Sequence, residues 1–256
     1  MDWSRTKTIF IVTFLFLNSF LIFQLIEQMN ANQINIIAEA TIQERLEEMN
    51  IEIDVDIPEE DIAGIYIVGS SVGYDNEIRD FLSDQQIRIV DETTVISTLD
   101  EPYELGPADY GIQLDRFLDE YIWRGEEYRF AGWDEELRQV VLYQTYDDVM
   151  IYTFDEVSLL LQLNEEGEIT GYQQNYLTIN EQGQEREVLS GLRAIETLLN
   201  EQLMMSNHVV SHLELGYYSL LQPFGGVQVF APMWRITVDD DNYLVHAIDG
   251  SIQQVN

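Results

Sequence analysis

The first 26 residues, MDWSRTKTIFIVTFLFLNSFLIFQLI, constrain this chain more than any other stretch. Arg5 and Lys7 open it, and no charged residue follows until Glu27. The run from Thr8 to Ile26 is mostly Ile, Phe, Leu and Val, the composition of a bilayer-crossing helix. At about 1.5 Å per residue it covers roughly 28 Å, close to the hydrocarbon thickness. A cleaved secretory leader has a shorter apolar core, about 7–15 residues, with a small-x-small site directly after it. Ala38-Glu39-Ala40 has that form but lies too far on, inside a helical pattern. A buried core helix rarely lacks a polar face altogether. The segment therefore reads as an anchor. Basic residues stay in the cytoplasm, and after Arg5 and Lys7 the next one is Arg45. The expected topology is residues 1–7 inside, 8–26 across the membrane, and 27–256 outside.

Outside the membrane the charge balance dominates. The chain carries 47 Asp and Glu against 12 Lys and Arg, a formal charge of −35, and Lys7 is its sole lysine. Arginine keeps its charge at pH values where lysine loses it, so an alkaline or saline exterior is one reading and plain sequence bias is another. Either way phosphate backbones are repelled, which excludes nucleic acid as a partner class. The exterior also stands off an anionic lipid surface. No cysteine is present, so no disulfide holds the exterior together.

The external part is long enough for one large domain or two small ones. No Gly precedes Gly64 and no Pro precedes Pro58. Helix can therefore run on from the span through Met49, with Ile34, Ala38, Ile42, Leu46 and Met49 close to one face. A stiff rod and a separate helix after a break at Asn30-Ala31-Asn32 both fit. Ile51–Ile57 alternates as a half-buried strand does, and Pro58 stops it. Further strands are expected at Ile65–Val68, Ile87–Val90 and Thr94–Ser97, with a turn over Gly69–Gly73. The stretch Glu101–Pro107 is the candidate boundary. Asp109 can cap a helix with an apolar stripe of Leu114, Phe117, Leu118, Tyr121 and Ile122. Hairpins follow around Asp147-Asp148 and Asn164–Gly167, with Tyr176–Ile179 continuing the sheet. A second helix is expected over Val188–Met204, then strands at Val209–Leu215, Val227–Phe230, Trp234–Val238 and Tyr243–Ile248. Residues 109–180 and 186–252 share one order, a helix followed by antiparallel strands. The expected fold is α+β: antiparallel sheets packed with helices, in two lobes spanning 27–107 and 108–256.

Catalytic signals are weak. His208 and His212 are four apart, but the run His208-Val-Val-Ser-His212 lacks the Glu that a zinc protease helix carries. Asp239–Asn242 reads as a hairpin turn, since no EF-hand spacing follows it. No glycosidase pair stands out among so many carboxylates. Ser211 and Ser219 have no triad context, and Trp234-Arg235 reads as sheet packing. No catalytic residue, cofactor or metal ligand is assigned.

The opening Met1–Ile11, flowing straight into a span, resembles the YycI (WalI) family. Leu163–Ile169 and Gln173–Tyr176 are similar to the family as well. The tail, Pro232–Val238 followed by Tyr243–Gly250, resembles a PepSY-type ending. The strong acidity departs from the family pattern. The resemblance implies a single-span regulator of the WalKR (YycFG) two-component system of Gram-positive bacteria. Its implied partners are the sensor kinase WalK and a sister protein, YycH, with effects on cell-wall metabolism. Rival readings are a PepSY-like protease inhibitor or chaperone, suggested by the tail, and a cell-wall hydrolase, suggested by location.

Within the span, Thr13, Asn18 and Gln24 are polar. At about 100° per residue Thr13 and Gln24 nearly share a face, while Asn18 points roughly 120° away from Gln24. Polar side chains in lipid bond across to neighbouring helices, so two faces suit two neighbours such as kinase and sister. The alternative is that Gln24 reaches the headgroups and Asn18 is tolerated.

Overall fold

The computed structural model describes residues 3–57, 64–73, 81–82, 85–106, 109–154, 156–219 and 225–255. In the first helix the side chains of residues 4–6 and 27–37 lie outside that description. The fold is α+β, with fourteen strands joined in one connected sheet among the described residues.

Helix α1 runs unbroken from Trp3 to Glu48. The absence of Gly and Pro removes the usual breakers, and Asn30-Ala31-Asn32 stays helical. The chain then turns at Asn50, which adopts a left-handed backbone. Strand β1 is only Glu52–Ile53, parallel to β11 (Val209–Tyr218). The alternating Ile51–Ile57 segment is thus mostly not strand, a correction to the expectation. Its apolar residues Ile51, Ile53, Val55 and Ile57 instead pack directly into a core. Pro58, the expected stop, lies outside the described residues.

That core belongs to the C-terminal meander. β11, β12 (Val227–Val238), β13 (Asp241–His246) and β14 (Ile252–Val255) pair antiparallel in sequence order. Helix α3 (Gly191–Asn200) covers one face with Leu192, Ala194, Ile195, Leu198 and Leu199. Ser190 caps it, its hydroxyl accepting from Arg193 N–H. Helix α3 is shorter than the Val188–Met204 periodicity suggested. Beyond Asn200 the chain turns, and Leu203 and Met204 still pack on the core as loop residues.

A second core lies under helix α2 (Tyr110–Tyr121), where Leu114, Phe117 and Leu118 are buried. It packs on an antiparallel sheet in the order β3 (Gln86–Val90), β4 (Thr94–Tyr103), β9 (Ile169–Asn175), β8 (Leu159–Leu163), β6 (Gln139–Tyr146), β5 (Tyr128–Asp134). Asp109 sits at the cap position without a side-chain capping bond. The Asp147-Asp148 hairpin joins β6 to β7 (Val149–Tyr152) with both residues at positive φ, 48° and 62°, the signature of a two-residue type I′ turn.

Two strands tie the cores together. β2 (Gly64–Ser71) pairs with β10 (Leu177–Arg186) and with the first residues of β12. It therefore covers Gly69–Ser71, which the sequence suggested as turn. β12 is one strand where the sequence suggested two. Residues 227–230 pair with β2 and residues 233–238 with β13. Pro232, which has no N–H to donate, falls in the gap between these pairings. The apolar clusters also cross residue 107 in both directions. Ile42–Ile57 share a core with residues 188–252, and Leu82–Leu105 share one with residues 110–176. β4 continues through Pro102 to Tyr103, and Pro107 lies outside the described residues.

Candidate functional site

Chain chemistry concentrates at the two ends of α1. Lys7–Ile26 is long and apolar enough to cross a membrane, with a mean hydropathy of 2.4 and none of it buried against the protein. Phe10, Phe14, Phe16, Phe20 and Phe23 each expose more than half their surface. In water such a display is prohibitive; in hydrocarbon it is the favoured state. The backbone satisfies itself, as any lipid-spanning segment must.

The polar residues of the span differ in what remains free to bond. Asn18 Nδ2 donates to the Phe14 carbonyl at 2.7 Å, one turn back. Part of its hydrogen-bonding capacity is therefore spent inside its own helix. Thr13 and Gln24 are exposed, and neither side chain forms a hydrogen bond among the described residues. At the other end of the span Lys7 Nζ lies 5.3 Å from the centre of the Trp3 ring, a cation–π contact. The Arg5 side chain lies outside the described residues.

The far end of α1 is built into the protein. Ile42 and Leu46 are 4% and 3% exposed in the core beneath α3. Each contributes about 1.5–3 kcal/mol by leaving water. Arg45 Nη1 donates to Asn200 Oδ1 at 2.9 Å and lies 3.5 Å from a Glu196 carboxylate oxygen. The turn after the helix is pinned too: Ile51 N–H donates to Leu46 O, and Asn50 Nδ2 donates to Asn207 Oδ1 at 2.9 Å. One helix thus carries a segment long and apolar enough to cross a membrane at one end and packs into a core at the other. From Ile26 to Ile42 it rises about 24 Å. The sequence reading missed Arg45 as an anchor. Its place in the last turn of the helix, where a cation suits the helix dipole, was the available signal.

The other candidates are dispersed. His208 precedes β11; its Nδ1 faces the Met205 N–H at 3.4 Å, and its Nε2 lies 3.8 Å from Asp239. His212 points to a different carboxylate, Glu214, at 3.3 Å. The two histidines therefore share no ligand set, and no group of three metal-binding side chains gathers among the described residues. Asp239 forms the β12–β13 turn, its carboxylate accepting from Val209 N–H at 2.9 Å. Trp234 is core, with Nε1 donating to Leu189 O at 2.8 Å, while Arg235 lies on the opposite face of the sheet. Ser211 is exposed and Ser219 is buried. Burial is also the main cause of the raised pKa of Tyr152 and of Tyr218, whose stacked rings lie 4.4 Å apart. Tyr152 donates to Glu214 at 2.9 Å.

A family model described as "YycI protein" matches residues 31–248. The chain belongs to the YycI family. No curated protein matches it. Among solved structures it is similar to an uncharacterized protein from Eubacterium rectale ATCC 33656, at 9% identity and a TM-score of 0.47, over 80% of this chain and 86% of that one. It is also similar to YycH from Bacillus subtilis, at 14% identity and a TM-score of 0.39, over 78% of this chain and 53% of that one. This chain thus spans about half the length of that YycH structure.

Proposed function

We propose that this YycI-family protein is a membrane-anchored, extracytoplasmic regulator of a WalK (YycG)-type sensor histidine kinase, acting with a YycH-like partner by contact rather than catalysis. Family membership supports the regulatory pathway. The observation that carries the mechanism is the unbroken α1, running from the apolar span to the core under α3. Arg5 and Lys7 keep the N-terminus in the cytoplasm, and residues 27–256 lie outside.

In this reading Thr13 and Gln24 present one polar face to a neighbouring helix and Asn18 presents another, for the kinase and the YycH-like protein. Confinement to one bilayer raises the effective concentration of the partners, so modest helix contacts suffice. The external lobes pack on the partner. A load or ligand felt there biases the kinase between two states through any difference in affinity for them. The helix stands the acidic exterior off from anionic lipid by about 24 Å, which lowers its repulsion from the surface.

The test is to replace Thr8–Ile26 with an unrelated span of equal length and to delete residues 1–27 in a second variant. The reading expects both to lose regulation of the kinase, with the swapped protein still in the membrane. Full regulation by a free exterior would contradict it. Protease inhibition or peptidoglycan turnover by that exterior would favour one of the rival activities instead.

A further inference from the structure

A second surface lies far from α1 in sequence, on the sheet beneath α2. In β5 the pairing with β6 shifts register between Phe130 and Gly132, a bulge at Ala131. Phe130 pairs with Leu142, Gly132 with Val141 and Trp133 with Val140. The extra residue therefore places Phe130 and Trp133 on one face, the same face on which Leu142 and Val140 are fully buried. This is the inner face of the sheet, yet Phe130 is 41% exposed and Trp133 49%. The first residue of α2 packs its ring against them. Tyr110 lies 6.2 Å from the Phe130 ring and 5.0 Å from the Trp133 ring, and the two β5 rings are 6.0 Å apart. Leu137 in the β5–β6 turn is a further exposed apolar side chain. The inner layer of this lobe thus runs past the helix that covers it.

The charge around the rings describes what fits there. The surroundings are acidic: Asp109 precedes the tyrosine, Asp134, Glu135 and Glu136 follow the tryptophan, and Asp115 lies on α2. The nearby cations Arg129 and Arg138 are paired with Asp148 and Glu165, leaving Arg116 on α2. A second copy of a chain with charge −35 would bring the same acidic rim against this one, so self-association is opposed.

We propose that Tyr110, Phe130 and Trp133 form a docking face for an amphipathic, basic helix of another protein, lying beside α2 and completing its layer. A sheet face is covered by helices in this class of fold, which fixes the occupant as a helix on the face. Its apolar stripe would cover the aromatic rings, and its Arg or Lys flanks would meet the carboxylates of the acidic rim. This site is independent of the contacts proposed for the membrane span.

The full chain in phosphatidylcholine nanodiscs is titrated with three fluorescein-labelled 18-residue peptides. One has a Leu stripe with Arg flanks, one has Ser in place of Leu, and one has Glu in place of Arg. We expect the Leu–Arg peptide to bind at least tenfold more tightly than the Ser–Arg peptide. We expect F130S/W133S, two exposed positions, to remove that preference in identical discs. A second variant, E135K/E136K, keeps the rings and is expected to weaken the Leu–Arg peptide severalfold while improving the Leu–Glu peptide. Equal binding of the Leu–Arg and Ser–Arg peptides would overturn the proposal. So would an unchanged preference in F130S/W133S, or ring-dependent self-association of the protein in sedimentation.

Discussion

Arg45 Nη1 donates to Asn200 Oδ1 at 2.9 Å, fastening the last turn of α1 to the end of α3. Beneath that bond lies the apolar contact of Leu46 with the C-terminal core. The two interactions differ greatly in strength. The Arg45 side chain is 44% exposed, so its pair with Glu196 is screened and worth at most about 1 kcal/mol. Truncating Leu46 leaves a cavity and costs about 2–5 kcal/mol. Urea unfolding should therefore show a large loss for Leu46→Ala and a small one for Arg45→Ala. Equal losses would mean that the helix end is held by its charges.

Gln144 links β6 to the first residue of β10. It is 1% exposed, its Nε2 donates to Leu177 O at 2.9 Å, and its Oε1 accepts from Leu177 N–H at 3.0 Å. This side chain thus substitutes for a strand at the start of β10. Gln144→Leu keeps the bulk but strands two buried backbone groups, at about 1–3 kcal/mol each. The expected result is a loss of several kcal/mol in unfolding free energy and faster amide exchange along β10 and β2. A neutral outcome would show that water replaces the side chain.

The pH profile follows from buried tyrosines. Burial pushes Tyr110 and Tyr217 up to about 12 from an ordinary value of 10.0. The folded value exceeds the unfolded one, so their contribution is complete below pH 10 and is lost as pH rises towards 12. Asp249 moves the other way: hydrogen bonds from Ser251 hold its carboxyl below the ordinary 3.8. Its contribution is present above that value and fades as pH falls below it. Urea midpoints should be flat between these limits and fall on both sides. Tyr217→Phe should flatten part of the alkaline fall.

In the span, the self-bonded Asn18 predicts unequal effects. Gln24→Leu should reduce co-purification with the kinase more than Asn18→Leu, because Gln24 has its whole amide free for a neighbour. Unchanged recovery of the double variant would remove the two polar faces from the mechanism.

What was legible in the sequence was local. The apolar span, the stripe of α2 and the Asp147-Asp148 hairpin each follow from periodicity or turn chemistry within a few residues. β5 was missed because its bulge at Ala131 breaks the alternation and its edge position leaves most of Tyr128–Asp134 exposed. β12 was split in two at Pro232, since only the three-dimensional pairing shows where a missing N–H does no harm. The opposite error occurred at Ile51–Ile57, where perfect alternation reflects packing against a core rather than a ladder. Which strands pair across long separations, as β4 does with β9, is not encoded in any one segment. At the candidate site, the polar positions of the span were visible, but the bond that occupies Asn18 and the fastening of Arg45 to Asn200 were not.

The central claim is that α1 acts as a stiff coupling between bilayer and core. The decisive measurement replaces residues 30–33 with four glycines and records kinase autophosphorylation in nanodiscs holding the kinase, the YycH-like protein and this chain. Each glycine weakens the helix by about 1 kcal/mol relative to alanine, enough to break the rod while sparing the span and the core. The account predicts that the variant still co-purifies with the kinase but no longer changes its phosphorylation rate. Regulation at the unaltered level through a flexible joint would contradict it.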